Sequence, residues 1–441
     1  MMAIYRQFCK WHQPHVIAKE LIKEWGEDGF IWLDGDGSDL GRWVTLGVDP
    51  IDQVCCRGLP NDHRASNPFT SLRNLRPGHW TGWLSYESGA WIEPKNPWKA
   101  DEMATLWLAS HDPILRFDLK THKLWIEGAN QVRLKQLARW LDTLNIDENS
   151  PIYSTIGLEE LTINSWKWHT EQDEFCSNVE KIKRWIEIGD IFQANLTACC
   201  TRTLPKRIRA IDLFQKLRKY SPSPFSGLVV GKGDATGEAV ISASPERFLK
   251  VLSTGEVETR PIKGTRPRHS NLSKDAYVAA DLVCSPKDRA ENIMIVDLLR
   301  NDLGKVCEPG SIVVTKLLGL ESYQHVHHLT SVVKGHLQSG KSWVDLLEAC
   351  WPGGSISGAP KLRACLRLHQ LEPRARGPYC GALIHKNWDG AFDSSIIIRS
   401  FMLQNSILRA NPGCGIVADS NPNNEAEELQ WKILPLLKAL Q

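Results

Sequence analysis

The chain contains no run of about 18 consecutive apolar residues, which excludes a membrane-spanning helix. It also lacks an excess of charge of either sign. Lys and Arg (53) nearly cancel Asp and Glu (51), so no bulk field favours nucleic acid or an anionic membrane. Its 12 cysteines include the adjacent pairs Cys55-Cys56 and Cys199-Cys200 but no C-x-x-C. Neither a zinc site nor a thioredoxin-like dithiol has its required spacing, and the cysteines read as reduced, mostly buried thiols. There is no internal repeat and no low-complexity tract. The segment Met1–His15 has no apolar signal core, so a cytoplasmic location is expected.

What is present is 441 residues of ordinary globular composition, 42% hydrophobic and 24% charged. At roughly 150 residues per domain, that length fits about three domains or one large fold with a smaller lobe. Two regions differ in texture. Residues 1–150 are rich in tryptophan, proline and short segments such as Phe30–Leu33 and Trp80–Leu84, which predict β-rich structure with the tryptophans in the core. The polar stretch Asp147–Pro151 marks a boundary, and residues 160–441 form the second region. There, Phe175, Val179, Ile182, Trp185 and Ile186 predict a helix that stops at Gly189. Strands are expected at Ile191–Thr197, Ala239–Ala243, Tyr379–Ile384 and Ser395–Leu403. Helices are expected at Lys274–Val283, Pro286–Asp302, Pro360–His369 and Glu425–Leu440. The alternation argues for an α/β or α+β body.

Three features carry chemistry. Asp288 with Glu291, and Glu425 with Glu428, are acidic couples three residues apart, so each shares a helical face. Such a set suits a hard divalent cation, although a solvated acidic surface explains a lone pair as well. The apolar run Ile293–Leu299 predicts that the first couple lies on a largely buried helix. Next come glycine-rich turns. Gly353–Lys361 reads as a loop entering a helix, with Pro360 at its first position and Ser357 available as a cap. Gly413-Cys414-Gly415 permits close backbone approach to a ligand, and either turn is equally readable as a plain tight turn. Third, Lys263 lies among Arg260, Arg266 and Arg268. Crowded positive charge would favour its free amine, whereas a surface basic loop would merely attract anions. Glu246 could act as a general acid, against the plainer expectation of a salt bridge to Arg247.

Taken in order, Ser244–Arg247, Pro261–Thr265, Asp288–Asp302, His328-Leu329, Gly354–Lys361 and Gly413–Glu428 resemble the chorismate-utilising enzymes. That family includes anthranilate, aminodeoxychorismate, isochorismate and salicylate synthases. The resemblance covers Trp166–Leu440. It implies an α+β fold with a layered β-sandwich core of large antiparallel sheets flanked by helices. Residues 1–150 would form the N-terminal region of anthranilate synthase component I type, and residues 160–441 the chorismate-binding catalytic domain. The resemblance further implies that Glu291 and Glu428 ligate Mg²⁺, with Asp288 and Glu425 behind them. Gly264, Thr265, Ser355, Tyr379, Arg399 and the Gly413, Cys414, Gly415 backbone would contact chorismate. Glu246 would be the acid at the C4 hydroxyl, and His328 a catalytic histidine near the ring.

Two positions separate the branches of that family. Where isochorismate and salicylate synthases carry a water-activating lysine, this chain has Gln193, which cannot serve as a base. Where anthranilate synthases carry alanine it has Lys263, the residue that in aminodeoxychorismate synthases attacks C2 before ammonia adds at C4. The resemblance therefore implies amination at C4, toward para-aminobenzoate and folate, with anthranilate synthesis as the alternative and a catalytically silent scaffold as a second. No segment carries the nucleophilic elbow and downstream His-x-Glu of a glutaminase, so a separate glutamine amidotransferase subunit, forming a heterodimer, is expected to supply ammonia.

Overall fold

A computed structural model describes residues 3–145, 166–205, 208–324 and 326–440. The boundary expected at Asp147–Pro151 lies outside the described residues. Two large antiparallel sheets dominate. The first runs Tyr5–Cys9, Lys123–Gly128, Ile114–Asp118, Trp43–Gly47, Ile31–Asp34, Phe225–Val230, Glu238–Ser244, Ser400–Gln404, Ile407–Ala410, Cys200–Thr203 and Lys167–Trp168. The second runs from Ile262–Pro267 through Val326–His336, Glu256–Thr259, Arg247–Val251, Phe392–Ile396 and Ala382–Lys386 to Trp80–Leu84, Leu106–Ser110 and Asp52–Cys56. Both sheets mix strands from before residue 145 with strands from after residue 166. Ile31–Asp34 pairs with Phe225–Val230, and Trp80–Leu84 pairs with Ala382–Lys386.

Between the sheets, Ile31, Trp83, Trp107, Val229, Val240, Leu383 and Met402 share one buried core, the arrangement of an α+β layered sandwich. The tryptophans of the first region serve as core, with Trp32, Trp80, Trp83 and Trp107 fully buried. All 12 cysteines are free thiols, most of them buried. Among the described residues, no helix is long and apolar enough to cross a membrane.

The site-bearing elements start where local chemistry places them. Helix Pro286–Gly304 has proline in its first turn, and the Ser285 hydroxyl accepts from the Asp288 N–H. Helix Pro422–Lys438 begins the same way, with Asn421 as its cap. Helix Gln172–Glu187 buries Phe175, Val179 and Ile182, and the chain turns at Gly189 with φ +74°. Helix Leu272–Cys284 is capped by Asn271.

Four expectations need correction. Ser395–Leu403 is two strands, because the chain leaves the second sheet after Ile396 and enters the first at Ser400, turning through Arg399 at φ +51°. Tyr379 precedes its strand, which begins at Ala382, after Cys380 takes a positive φ. Ser357 does not cap the next helix. It ends a separate turn, Gly354–Ser357, and its hydroxyl donates to Gly353 O, while Pro360 itself is the cap residue of Lys361–Leu371. Helix Pro286–Gly304 is one-sided rather than largely buried. Asn292, Ile295, Val296 and Leu299 face inward, whereas Ile293 is 41% exposed.

Candidate active site

A third, small sheet organises the site. Gln193–Thr197 lies between Gly358–Ala359 and Gly413–Ile416, antiparallel to both. Side chains alternate along a strand, so positions 413 and 415 share one face and Cys414 takes the other. A methyl group at position 415 would fall 2.6 Å from Gln193 Nε2 and 3.4 Å from both Glu291 Oε2 and Lys263 Nζ. At position 413 it would meet the Tyr379 hydroxyl at 3.1 Å. Glycine here keeps open a space walled by four of the expected site residues. Cys414 instead turns its thiol to Glu425 O, 3.5 Å away on the acidic helix.

Lys263 reaches this space because its strand is irregular. Ile262–Pro267 pairs with Val326–His336, but the register shifts between Ile262 and Thr265, and such a bulge re-aims the intervening residues. Gly264 within it has φ +85°, and a methyl there would lie 2.8 Å from Leu282 Cδ1 and 2.9 Å from Asp288 Cβ. Only glycine lets the strand lie this close to both helices. Lys263 Nζ donates to Ser355 O at 3.2 Å and stands 3.8 Å from Glu291 Oε2. The neighbouring arginines do not crowd it, contrary to the sequence expectation. Arg260 pairs with Glu321 at 2.6 Å, Arg266 with Asp288 at 3.0 Å and Arg268 with Asp275 at 2.8 Å.

Each carboxylate of the two acidic couples has its own cation or donor, and Glu425, Glu291 and Glu428 all act on the charge of Lys287. Glu291 accepts from Gln193 Nε2 at 3.1 Å. Burial raises its pKa, opposed by Lys263 and Lys287. Glu425 accepts from the Ser420 hydroxyl at 2.7 Å and Lys287 at 3.1 Å through one oxygen. Its other oxygen is buried with no hydrogen-bond partner. Glu428 is 47% exposed and pairs at 2.7 Å with Lys432, which also donates to Gly413 O at 2.9 Å. Burial would raise the Glu428 pKa, but Lys432 and Lys287 outweigh it and the net shift is downward. Ligand atoms of Cys414, Glu425 and Glu428 lie within 4.8 Å of one another.

The opposite end is drier. Glu246 is 6% exposed, and burial pushes its pKa up to about 7 against the Ser355 hydrogen bond and the charges of Lys263 and Arg399. Its expected salt bridge to Arg247 does not form. Arg247 is instead held by Asp393 and Glu258, each at 3.0 Å. His328 faces Thr265 across the strands, Nδ1 sharing a hydrogen bond of 2.8 Å with the threonine hydroxyl. Its Nε2 is buried without a partner. Burial, reinforced by Arg399 and His327, lowers the His328 pKa to about 3, so the ring is neutral. Arg399 forms no ion pair among the described residues, which leaves its guanidinium available to an anion.

Sequence reasoning missed three supporting residues. Lys432 is four positions after Glu428, a helical spacing that was readable. Lys287 directly precedes Asp288. Arg376 carried no such signal. Fully buried, it donates at 2.7 Å to both Ile356 O and Asn195 O and pairs with Glu372 at 2.7 Å, tying the small sheet to the Gly354–Ser357 turn.

An anthranilate synthase component I-like protein of Synechocystis is 36% identical over 373 residues, 82% of this chain and 73% of that protein. Aminodeoxychorismate synthase component 1 of Klebsiella aerogenes is 39% identical over 303 residues, 68% of this chain and 64% of that one. Anthranilate synthase component I from Streptococcus pneumoniae superposes with a TM-score of 0.75 at 29% identity, covering 90% of this chain and 92% of that one. Residues 47–438 match the chorismate binding enzyme family. The chain belongs to that family and is a chorismate-utilising enzyme.

Proposed function

We propose that the protein is the synthase component of an aminodeoxychorismate synthase, converting chorismate and ammonia to 4-amino-4-deoxychorismate. The observation that carries this reading is the position of Lys263. Its amine lies at the open glycine face, between Ser355 O and Glu291, and its charge acts on the buried carboxyl of Glu246. A nucleophile beside an acid that retains its proton near neutrality suits a two-step displacement.

In the first step the Lys263 ammonium gives a proton to solvent, and the amine that results bonds to C2. The ring diene relays the electron pair to the C4–O bond, and the Glu246 carboxyl gives its proton to the departing hydroxyl, which leaves as water. In the second step ammonia bonds to C4, the electrons return along the ring, and the C2–N bond to Lys263 breaks. Neutral His328 and Thr265 line the ring side without adding charge, and Arg399 suits the enolpyruvyl carboxylate. Gln193 offers an amide held by Glu291, which disfavours attack by water.

The acidic helices fit a divalent cation such as Mg²⁺. Carboxylate oxygens of Glu425 and Glu428 lie within 4.8 Å of each other and of the Cys414 thiol, and a buried Glu425 oxygen lacks any partner. Glu291 and Glu428 would hold the cation, with Glu425 close behind and Asp288 committed to Arg266. Its chemistry would be to bind and polarise the ring carboxylate. A glutamine amidotransferase subunit would deliver the ammonia, in keeping with the component 1 name of the Klebsiella relative.

Anthranilate synthesis is the second reading, favoured by the names of the Synechocystis and Streptococcus proteins. Incubation with chorismate, Mg²⁺ and an ammonium salt separates the two. A product that keeps its enolpyruvyl group supports C4 amination, whereas fluorescent anthranilate with released pyruvate supports the alternative. Absence of any turnover would favour a scaffold that serves only the amidotransferase.

A further inference from the structure

Lys287 belongs to neither the expected ligand set nor the proposed displacement, yet it sits at the middle of the acidic cluster. Its ammonium is 3.1 Å from Glu425 Oε1, and Glu291, Glu425 and Glu428 all act on its charge. It occupies the first turn of helix Pro286–Gly304, where a positive charge opposes the helix dipole. The carboxylates therefore hold it there, rather than the helix. Asp288, Glu291, Glu425 and Glu428 are matched one for one by Arg266, Lys263, Lys287 and Lys432. A divalent cation entering alone would leave this centre with an excess of positive charge.

We propose that Lys287 is a resident cation, neutralising the carboxylate cluster when the metal position is empty and swinging toward solvent when a divalent cation binds. This rests on the reading that Glu291 and Glu428 bind such a cation. Two observations favour displacement over a fixed pair. The Lys287 side chain is 42% exposed, so leaving the cluster returns a strongly hydrated ammonium to water. Glu425, by contrast, is 4% exposed and keeps one oxygen unpartnered, so it cannot be left without a cation. The carboxylates are the fixed element and the lysine the exchangeable one.

Titration calorimetry with magnesium chloride in the absence of chorismate tests this on the wild type, Lys287→Met and Lys287→Arg. The methionine variant is expected to bind Mg²⁺ about fivefold more tightly than wild type, with the arginine variant restoring wild-type affinity. In metal-free buffer Lys287→Met should also melt below wild type and gain more in Tm on adding Mg²⁺. Should the methionine variant misfold, Lys287→Gln keeps an uncharged donor to Glu425 and serves the same comparison. Equal or weaker Mg²⁺ binding by the uncharged variants, with wild type binding normally, overturns the resident-cation role alone. Failure of wild type and variants alike to take up Mg²⁺ overturns the metal reading and this inference with it.

Discussion

The two ends of the site control charge by opposite means. Around Glu291, Glu425 and Glu428, each carboxylate is matched to a lysine, and the cluster opens to water at Glu428, which is 47% exposed. Around Glu246 and His328 the groups are buried, and desolvation sets their protonation. The acid keeps its proton up to about pH 7 and the histidine stays neutral. Paired charge is suited to exchanging ions with solvent, and buried groups are suited to moving protons at a fixed place. One substrate bridging both ends would meet binding at one and bond-making at the other.

Breaking the ionic end should have the largest effect. Glu428→Ala removes a proposed ligand while the helix keeps its apolar face, so turnover should fall by roughly 10³-fold or more with little change in Tm. Activity that persists with unaltered Mg²⁺ dependence would show that the ligand assignment is wrong. Lys263→Ala, between the two ends, should lower C4 amination by a similar or slightly smaller factor, about 10³-fold. Product analysis by mass spectrometry checks whether anthranilate appears in its place.

At the buried end, Glu246→Gln should cost about 10²-fold in turnover and remove the decline in rate above pH 7 that ionisation of the acid imposes. The same variant sharpens the contrast through stability. The Glu246 pKa is raised on folding from 4.5 to about 7, so the native state holds the extra proton between those values. The contribution is present below pH 4.5 and is lost as pH rises through 7. Glutamine should flatten that slope and stabilise the protein at pH 8 by up to about 3 kcal/mol, measurable by urea unfolding at several pH values. The smallest effect is expected from Gln193→Lys. It places a base where the amide now contacts Glu291, and a trace of isochorismate among the products is the result to look for.

The acidic couples were legible because helical spacing is a local property, and helices Pro286–Gly304 and Pro422–Lys438 place them as that spacing requires. Gly413 and Gly415 were legible as glycines that permit close approach, but the turn expected there is a strand, because Gln193–Thr197, distant in sequence, pairs with it. Partners distant in sequence were not. Nothing near Arg247 announces that Asp393 and Glu258 will claim it and leave Glu246 to face Ser355. The break at Arg399 was invisible because Ser395–Leu403 is uniformly strand-like, and only the change of sheet forces the turn. The arginines flanking Lys263 misled in the same way, since their carboxylates come from other elements.

The pairing of Ile31–Asp34 with Phe225–Val230 and of Trp80–Leu84 with Ala382–Lys386 has a consequence for dissecting the protein. No proposed catalytic side chain comes from the first 145 residues, yet a fragment starting at Trp166 would open both sheets mid-width and bare two ladders of unpaired amides. Such a piece should precipitate when expressed by itself, while supplying the missing half as a separate polypeptide should rescue solubility and turnover together.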